Sequence, residues 1–137
     1  MTIQVAVLCD AATQDNNMKL YLLGAFDTIF TPNLPAIHPQ CSLALRATYG
    51  HEDEGNHTLR VNFVDADGRS ILPTTIDMPV ELVLPEDSHF GTRNFIINFQ
   101  QLKFDNPGLY SIDIRLDDQS QATVPLLVKH NPPAESA

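Results

Sequence analysis

The sequence predicts an all-β fold, an immunoglobulin-like sandwich of two antiparallel sheets with eight or nine strands. Apolar residues recur at every second position in several segments, which is the period of a strand with one buried and one solvated face. Turn-forming residues separate these segments at the short intervals typical of a sandwich. No segment carries a convincing helical pattern, so an all-β architecture is favoured.

The clearest strand pair is predicted near the C-terminus. Apolar residues alternate in both strands, first at Tyr110, Ile112, Ile114 and Leu116, and then at Ala122, Val124, Leu126 and Val128. Residues paired across an antiparallel ladder point to the same face, so Leu116 is predicted to pair with Ala122. The three-residue loop Asp118–Ser120 then joins the strands.

A tyrosine follows the turn that precedes this hairpin. Pro107 and Gly108 form the turn, and Tyr110 comes two residues after it. This arrangement resembles the tyrosine corner of immunoglobulin-like sandwiches, in which the hydroxyl bonds to upstream backbone. The alternative interpretation is that Tyr110 is simply an aromatic residue of the core.

The length of 137 residues suits one domain. We expect a single sandwich domain over residues 1–129 and a disordered tail over residues 130–137. A chain of this size buries about two-thirds of its extended surface, so it folds without a metal or a disulfide. No cofactor is therefore expected.

The formal net charge is −9, from 17 acidic residues against 8 Lys and Arg. This charge argues against nucleic-acid binding and against binding to anionic membranes, although it also serves solubility. The first apolar run is too short for a signal peptide or a spanning helix, which favours a cytoplasmic protein. There, Cys9 and Cys41 are expected to be free, buried thiols.

Two strands are predicted in the N-terminal region, at Ile3–Cys9 and Leu20–Phe30, joined by a polar connection. Gly24 interrupts the second strand and indicates a bulge or a close backbone approach. The segment Thr31–Gln40 contains three prolines. We expect it to be an extended loop that carries the chain between sheets.

A further hairpin is predicted between residues 41 and 63. The alternation of apolar residues matches in both strands if Leu45 lies opposite Val61, with residues 50–56 as the loop. Additional strands are predicted at residues 80–84 and 93–102.

One metal-site hypothesis involves Cys9, His38 and Cys41. Cysteine and histidine are zinc ligands, and His38 and Cys41 have a chelating spacing. Cys9 at a strand end and Cys41 at a strand start could meet there, as a metal-binding site or the centre of a metal-dependent enzyme. The alternative is two buried thiols and a loop histidine.

Two acidic segments have simpler interpretations than metal binding. The segment His51–Glu54 with His57 could hold a divalent ion, but it also suits a solvated hairpin tip. Asp65–Gly68 echoes the start of a calcium loop, yet it lacks the later acidic ligands and is predicted to be a turn. The chain contains no GxSxG, P-loop, GxGxxG or HExxH motif, so no catalytic residues are predicted.

Four segments resemble a family of small, uncharacterised bacterial proteins, a domain of unknown function. They are AVLCDAATQDNNMKLYLLGAFDTIF, HPQCSLALR, VNFVDADGRSILP and LKFDNPGLYSIDIRLDD. The resemblance covers Ile3 to Val128, and the LCDAAT and LGAFDTIF blocks are its most specific part. It implies a bacterial β-sandwich with no assigned activity and no catalytic residues to carry over. The final hairpin of the family often turns on Asp-Gly, where this chain has Asp118-Gln119.

The resulting functional hypothesis is a non-enzymatic module that binds an unidentified protein or associates with itself. Ile96, Leu109 and Leu127 are apolar residues predicted on outer strand faces, where they would form a self-association patch or lie beneath loops. Ligand or glycan binding on a sheet face is a weaker alternative, because the sequence has no Trp and only 7% aromatic residues.

Overall fold

The computed structural model describes residues 1–132, which contain nine β-strands and one 3-10 helix. The strands are β1 (Thr2–Gln14), β2 (Leu20–Ala25), β3 (Thr28–Thr31), β4 (Ala36–Tyr49), β5 (Gly55–Val64), β6 (Ile76–Leu82), β7 (Gly91–Phe104), β8 (Gly108–Leu116) and β9 (Gln119–His130). Of the predicted tail 130–137, His130 ends β9, and residues 133–137 lie outside the described part.

The strands form two sheets, which confirms the predicted immunoglobulin-like sandwich. Sheet one has the order β2-β1-β4-β7, and sheet two has the order β3-β9-β8-β5-β6. One pair departs from the predicted antiparallel arrangement, because β3 runs parallel to β9 with Thr28 beside Leu127. The chain enters sheet two directly from the end of β2, and this crossing gives β3 the direction of β9.

Aromatic side chains fill the space between the sheets. Phe63 of β5 packs edge-to-face on Phe99 and Phe104 of β7, with ring centroids 5.7 and 5.8 Å apart. Phe104 in turn packs on Tyr110 at 5.0 Å. These contacts join the two sheets, so the core depends on residues far apart in the sequence.

The turn between β8 and β9 is shorter than predicted. Asp117 and Asp118 have φ angles of 50° and 66°, as in a two-residue type I′ turn. Ala122 pairs with Ile114 and not with Leu116, because a bulge in β9 absorbs one extra residue. The bulge therefore keeps Val124, Leu126 and Val128 on the inward face, as the predicted three-residue loop would have done.

The predicted hairpin between residues 41 and 63 is wrong. β4 pairs with β1 and β7, whereas β5 pairs with β6 and β8. The chain crosses between sheets through the 3-10 helix His51–Asp53. Leu45 and Val61 are both fully buried, but in opposite sheets. Strands that face each other across a core need the same alternation as strands in one hairpin, so the pattern fitted both.

The N-terminal strands also have different bounds. β1 continues past Cys9 to Gln14, and the predicted strand Leu20–Phe30 is divided between β2 in sheet one and β3 in sheet two. The predicted crossing between sheets is confirmed in a shorter form, because only residues 32–35 separate β3 from β4.

The tyrosine corner is confirmed. The hydroxyl of Tyr110 donates a hydrogen bond to the carbonyl oxygen of Asn106 at 2.6 Å, and the ring is buried. The bond fixes the turn before β8 to the strand that follows it.

Replacing Tyr110 with phenylalanine removes this bond and keeps the ring. The expected loss in the free energy of unfolding is about 0.5–1.5 kcal/mol, measured by urea denaturation. Tyr21→Phe is the matched control, because the Tyr21 hydroxyl bonds an exposed carboxylate, Asp15, at 2.8 Å. Equal losses in both variants would contradict a special contribution from the corner.

Candidate functional site

The two cysteines lie on neighbouring strands of sheet one. Cys9 of β1 pairs with Ser42, the residue after Cys41 in β4, and both thiols are free and fully buried. Burial raises the pKa of Cys9, and burial raises the pKa of Cys41 to about 11. Both groups are therefore protonated at neutral pH, which does not suit a nucleophile.

His38 lies in β4 with its ring 5.6 Å from that of Phe26. Over residues 1–132, no three His, Cys, Asp or Glu side chains form a group that could hold a metal ion. The structure thus places Cys9 and Cys41 on neighbouring strands, with Cys9 on the face of Ser42 and Cys41 in the core, and forms no ligand set from them and His38.

Side chains of the two acidic segments form hydrogen bonds within and between loops. The ring of His51 contacts the Glu54 carboxylate at 2.7 Å and the Ser88 carbonyl oxygen at 3.0 Å. Asp65 accepts hydrogen bonds from the backbone of Asp67 and Arg69, both at 2.9 Å, which confirms the predicted turn. Their carboxylates therefore stabilise loops.

The hairpin of β1 and β2 folds back over the molecule. The carbonyl oxygen of Met18, at the hairpin tip, accepts hydrogen bonds from Arg46 at 3.1 Å and from Asn94 at 2.8 Å. Arg46 pairs with Val5 near the start of β1. The tip of the hairpin therefore lies beside the first residues of β1. We call residues 10–25 the arm.

Part of the outer face of sheet one is shielded from solvent. Ala44 points outward between the core residues Leu43 and Leu45, yet it is fully buried. Ser42 on the same face is also buried, and its hydroxyl donates to Asn98 at 2.6 Å. These two residues are therefore covered on the outer face, and the bonds of Met18 to Arg46 and Asn94 hold the tip of the arm against the same face.

The predicted apolar patch is not one surface. Leu109 and Leu127 pair with each other in sheet two. Ile96 lies in β7 of sheet one, beside the covered Ala44. The prediction that these residues form a single patch is wrong, because they lie in different sheets. The strand patterns in the sequence do not show which sheet a strand joins.

The arm itself carries exposed apolar residues. Every residue from Tyr21 to Ala25 is exposed, with Tyr21 at 51%, Leu22 at 38% and Leu23 at 73%. Successive strand residues point to opposite faces, so both faces of β2 are apolar and solvated. Among the described residues β2 pairs with β1 alone, which leaves the backbone groups of its other edge free.

The other edge strands have protection that β2 lacks. β6 contains Asp77, Pro79 and Glu81, β7 contains charged residues at both ends, and β3 has only 4 residues. Charges, prolines and short length all prevent an edge from pairing with another chain. From Leu20 to Ala25 the arm has neither a charge nor a proline, so β2 is the unprotected edge.

A groove of about 390 Å³ lies at the root of the arm. Phe26, Ile29 and Phe30 give it apolar walls, and Asp10 and His38 add one carboxylate and one imidazole. This composition is typical of a site that takes apolar side chains and orients them with a few polar groups.

The predicted close approach at Gly24 is confirmed beside this groove. Gly24 has φ +71°, and a Cβ atom there would lie 2.3 Å from the Asp10 carboxylate. The backbone conformation therefore disfavours a side chain at this position, and the Asp10 side chain would have to turn aside to admit one.

Sequence reasoning missed the arm as a site. The available signal was LYLL, four consecutive apolar residues without alternation, in a segment interpreted as an ordinary strand. The polar contacts that fold the arm back join residues far apart in the chain, so no local pattern indicated them.

A second groove surrounds His57 on β5. Its Nδ1 lies 2.5 Å from the Asp117 carboxylate, and its Nε2 lies 2.6 Å from the carbonyl oxygen of Asp53. Both nitrogens face acceptors, so the protonated ring donates two hydrogen bonds. The bond to Asp117 raises the pKa of His57, and the same bond lowers the pKa of Asp117. The pair ties the β8–β9 turn to β5.

We expect this pair to make stability depend on pH. Because the pKa of His57 is raised in the folded state, its contribution is complete below the unfolded pKa of about 6.5 and is lost as pH rises through the folded pKa. Because the pKa of Asp117 is lowered, its contribution is lost in acid. The stability difference between the native chain and His57→Gln should therefore shrink as the pH rises above about 6.5.

Urea denaturation at several pH values measures this difference, with His89→Gln as the control. A difference that stays constant over this range would show that the ion pair makes no contribution.

None of the helical segments described in residues 1–132 has the length and apolar character needed to cross a membrane.

Comparison with known proteins gives a family and a structural likeness. The pattern of a family described as "Family of unknown function (DUF6941)" matches residues 4–129. No curated protein matches the sequence. A crystal structure of an immunoglobulin-like protein from Pseudomonas aeruginosa is similar with 11% identity and a TM-score of 0.40, over 93% of this chain and 95% of that one.

Proposed function

The chain belongs to this family of unknown function, and we propose that it is a non-enzymatic module that binds an extended segment of a polypeptide along β2. The observation that carries the proposal is the exposure of Tyr21, Leu22 and Leu23 on both faces of an unprotected edge strand. Leaving these side chains in water is unfavourable by about 25 cal/mol per Å² of apolar surface, and a paired strand would cover them.

Binding by strand addition uses two kinds of contact. The free edge of β2 supplies backbone donors and acceptors, which give affinity to any extended segment. Alternate side chains of the bound segment would face the arm or the groove beside it, which gives selectivity. The groove has aromatic walls and one carboxylate, Asp10, so it suits an apolar side chain next to a basic or hydrogen-bonding group.

The same proposal places the protein in the bacterial cytoplasm. Two neighbouring cysteines remain free thiols in the structure, and a reducing compartment preserves that state.

Affinity isolation of tagged protein from its host, followed by mass spectrometry, tests the proposal. Leu23→Lys places a charge on the exposed edge, so a partner bound at β2 should be lost. Leu109→Lys is the matched control, because Leu109 is a comparably exposed leucine, at 57%, in sheet two. A partner retained equally by both variants would exclude β2 as its site. Recovery of no polypeptide by the native protein would count against the function itself.

A further inference from the structure

We propose that the segment bound by β2 is β2 of a second copy, in an antiparallel pair whose two-fold axis passes through Leu22. This inference rests on the proposed function, because it names the polypeptide that the edge accepts. The two arms would then join into one four-stranded sheet, with the two β2 strands at its centre.

The sequence of β2 is complementary to itself in this register. Pairing centred on Leu22 places Tyr21 of each copy opposite Leu23 of the other, and Leu20 opposite Gly24. Opposite residues share a face, so the two most exposed apolar side chains of β2 cover each other twice. Leu20 lies over Gly24, where the strand has no side chain of its own.

Charge complementarity supports the same register. Each chain carries a net charge of −9, which opposes self-association at long range. Salt screens this repulsion beyond about 8 Å, and β2 itself carries no charge. The pairing brings the exposed Lys19 of one copy opposite Ala25 of the other, next to the segment that carries the exposed Asp27. The two-fold axis repeats this opposite-charge contact at the other end.

The geometry also limits the assembly to two copies. A two-fold pair uses the same edge of both chains, so no free β2 remains after association. The unprotected edge would thus be covered in the dimer, in agreement with the protected edges elsewhere in the sandwich.

Sedimentation equilibrium of the full chain tests the stoichiometry. The native protein and Leu109→Lys should show a concentration-dependent equilibrium between monomer and dimer, whereas Leu23→Lys should be monomeric at every concentration. A native protein that stays monomeric up to about 0.5 mM, a concentration at which even weak specific pairs associate, overturns the inference. If β2-dependent capture of another polypeptide persists in that case, the proposed function stands without self-pairing.

Disulfide trapping tests the register. Leu22→Cys places two thiols opposite each other across the two-fold axis, within the Cα separation of about 4.5–5.5 Å that a disulfide accepts. Oxidised glutathione takes the two electrons and two protons when the bond forms, so a covalent dimer is expected. The native thiols at Cys9 and Cys41 are buried and do not compete.

Leu23→Cys is the matched control in this experiment. Its thiol lies opposite Tyr21 of the other copy, and its own counterpart lies on a diagonal of about 7–8 Å, beyond the reach of a disulfide. The double variant Tyr21→Cys and Leu23→Cys restores opposite thiols and should form the covalent dimer again. Trapping through Leu23→Cys but not through Leu22→Cys would overturn the proposed register.

Discussion

Replacing Phe63 with alanine is expected to lower the free energy of unfolding by about 3–5 kcal/mol. Phe63 is fully buried and contacts two phenylalanine rings of the opposite sheet edge-to-face. Removing it loses the transfer free energy of the ring and leaves a cavity between the sheets. Chemical denaturation monitored by circular dichroism measures the loss directly.

Phe30→Ala is the matched control for this prediction. Phe30 is 64% exposed, and a surface substitution of this kind typically changes stability by about 0.5 kcal/mol or less. Similar losses at Phe63 and Phe30 would contradict the position of the core between the sheets. A large loss at Phe30 alone would indicate that the groove beside the arm is part of the core.

Replacing Gly91 with alanine is expected to cost about 1–3 kcal/mol through overpacking. A Cβ atom at Gly91 would lie 2.4 Å from the ring of Tyr49, its partner across β4 and β7. The ring is buried, and its hydroxyl donates to the carbonyl oxygen of Val83 at 2.9 Å. It therefore cannot move aside without breaking that bond.

A double-mutant cycle isolates this contact. In a Tyr49→Ala background the ring is absent, so Gly91→Ala should cost far less than it does in the native chain. The cost is measured in both backgrounds by the same denaturation experiment. An unchanged cost would show that the alanine acts through backbone conformation rather than through the tyrosine ring.

Local patterns predicted the faces of the strands well. Alternation placed Ile112, Ile114 and Leu126 inward, and all three are fully buried. The Pro-Gly turn before Tyr110 indicated a tyrosine corner with a bond to upstream backbone, and the structure identifies the acceptor as Asn106. The corner depends on neighbours in sequence. Features set by a few consecutive residues were therefore accessible from the sequence.

Features that depend on the partner of a strand were not accessible in the same way. Leu45 and Val61 carry equal alternation whether they lie in one hairpin or in opposite sheets. The final turn was misplaced because a bulge, like a longer loop, restores the inward face of Ala122. In both cases one pattern satisfies two geometries, and only tertiary packing selects between them.

The candidate site also has one feature that the sequence predicted and one that it did not. Burial of Cys9 and Cys41 follows from their apolar strands and was expected. The fold-back of the arm depends on Arg46 and Asn94 reaching the carbonyl oxygen of Met18. Because the backbone carbonyl that they bind has the same chemistry in every residue, the sequence of the tip carries no mark of this contact.

The parallel pair of β3 and β9 has a consequence for biosynthesis. The strand that contains Thr28 has no neighbour in sheet two until Leu127 has been synthesised. At typical translation rates of about 5–20 residues per second, the interval between these residues is about 5–20 s. Every strand of sheet one has been made by Phe104, before β8 and β9 exist. The nascent chain therefore passes through a stage in which sheet one is complete while sheet two lacks its strands β8 and β9, so part of the apolar face of sheet one is exposed to water. We expect dependence on chaperones to be greatest during that stage.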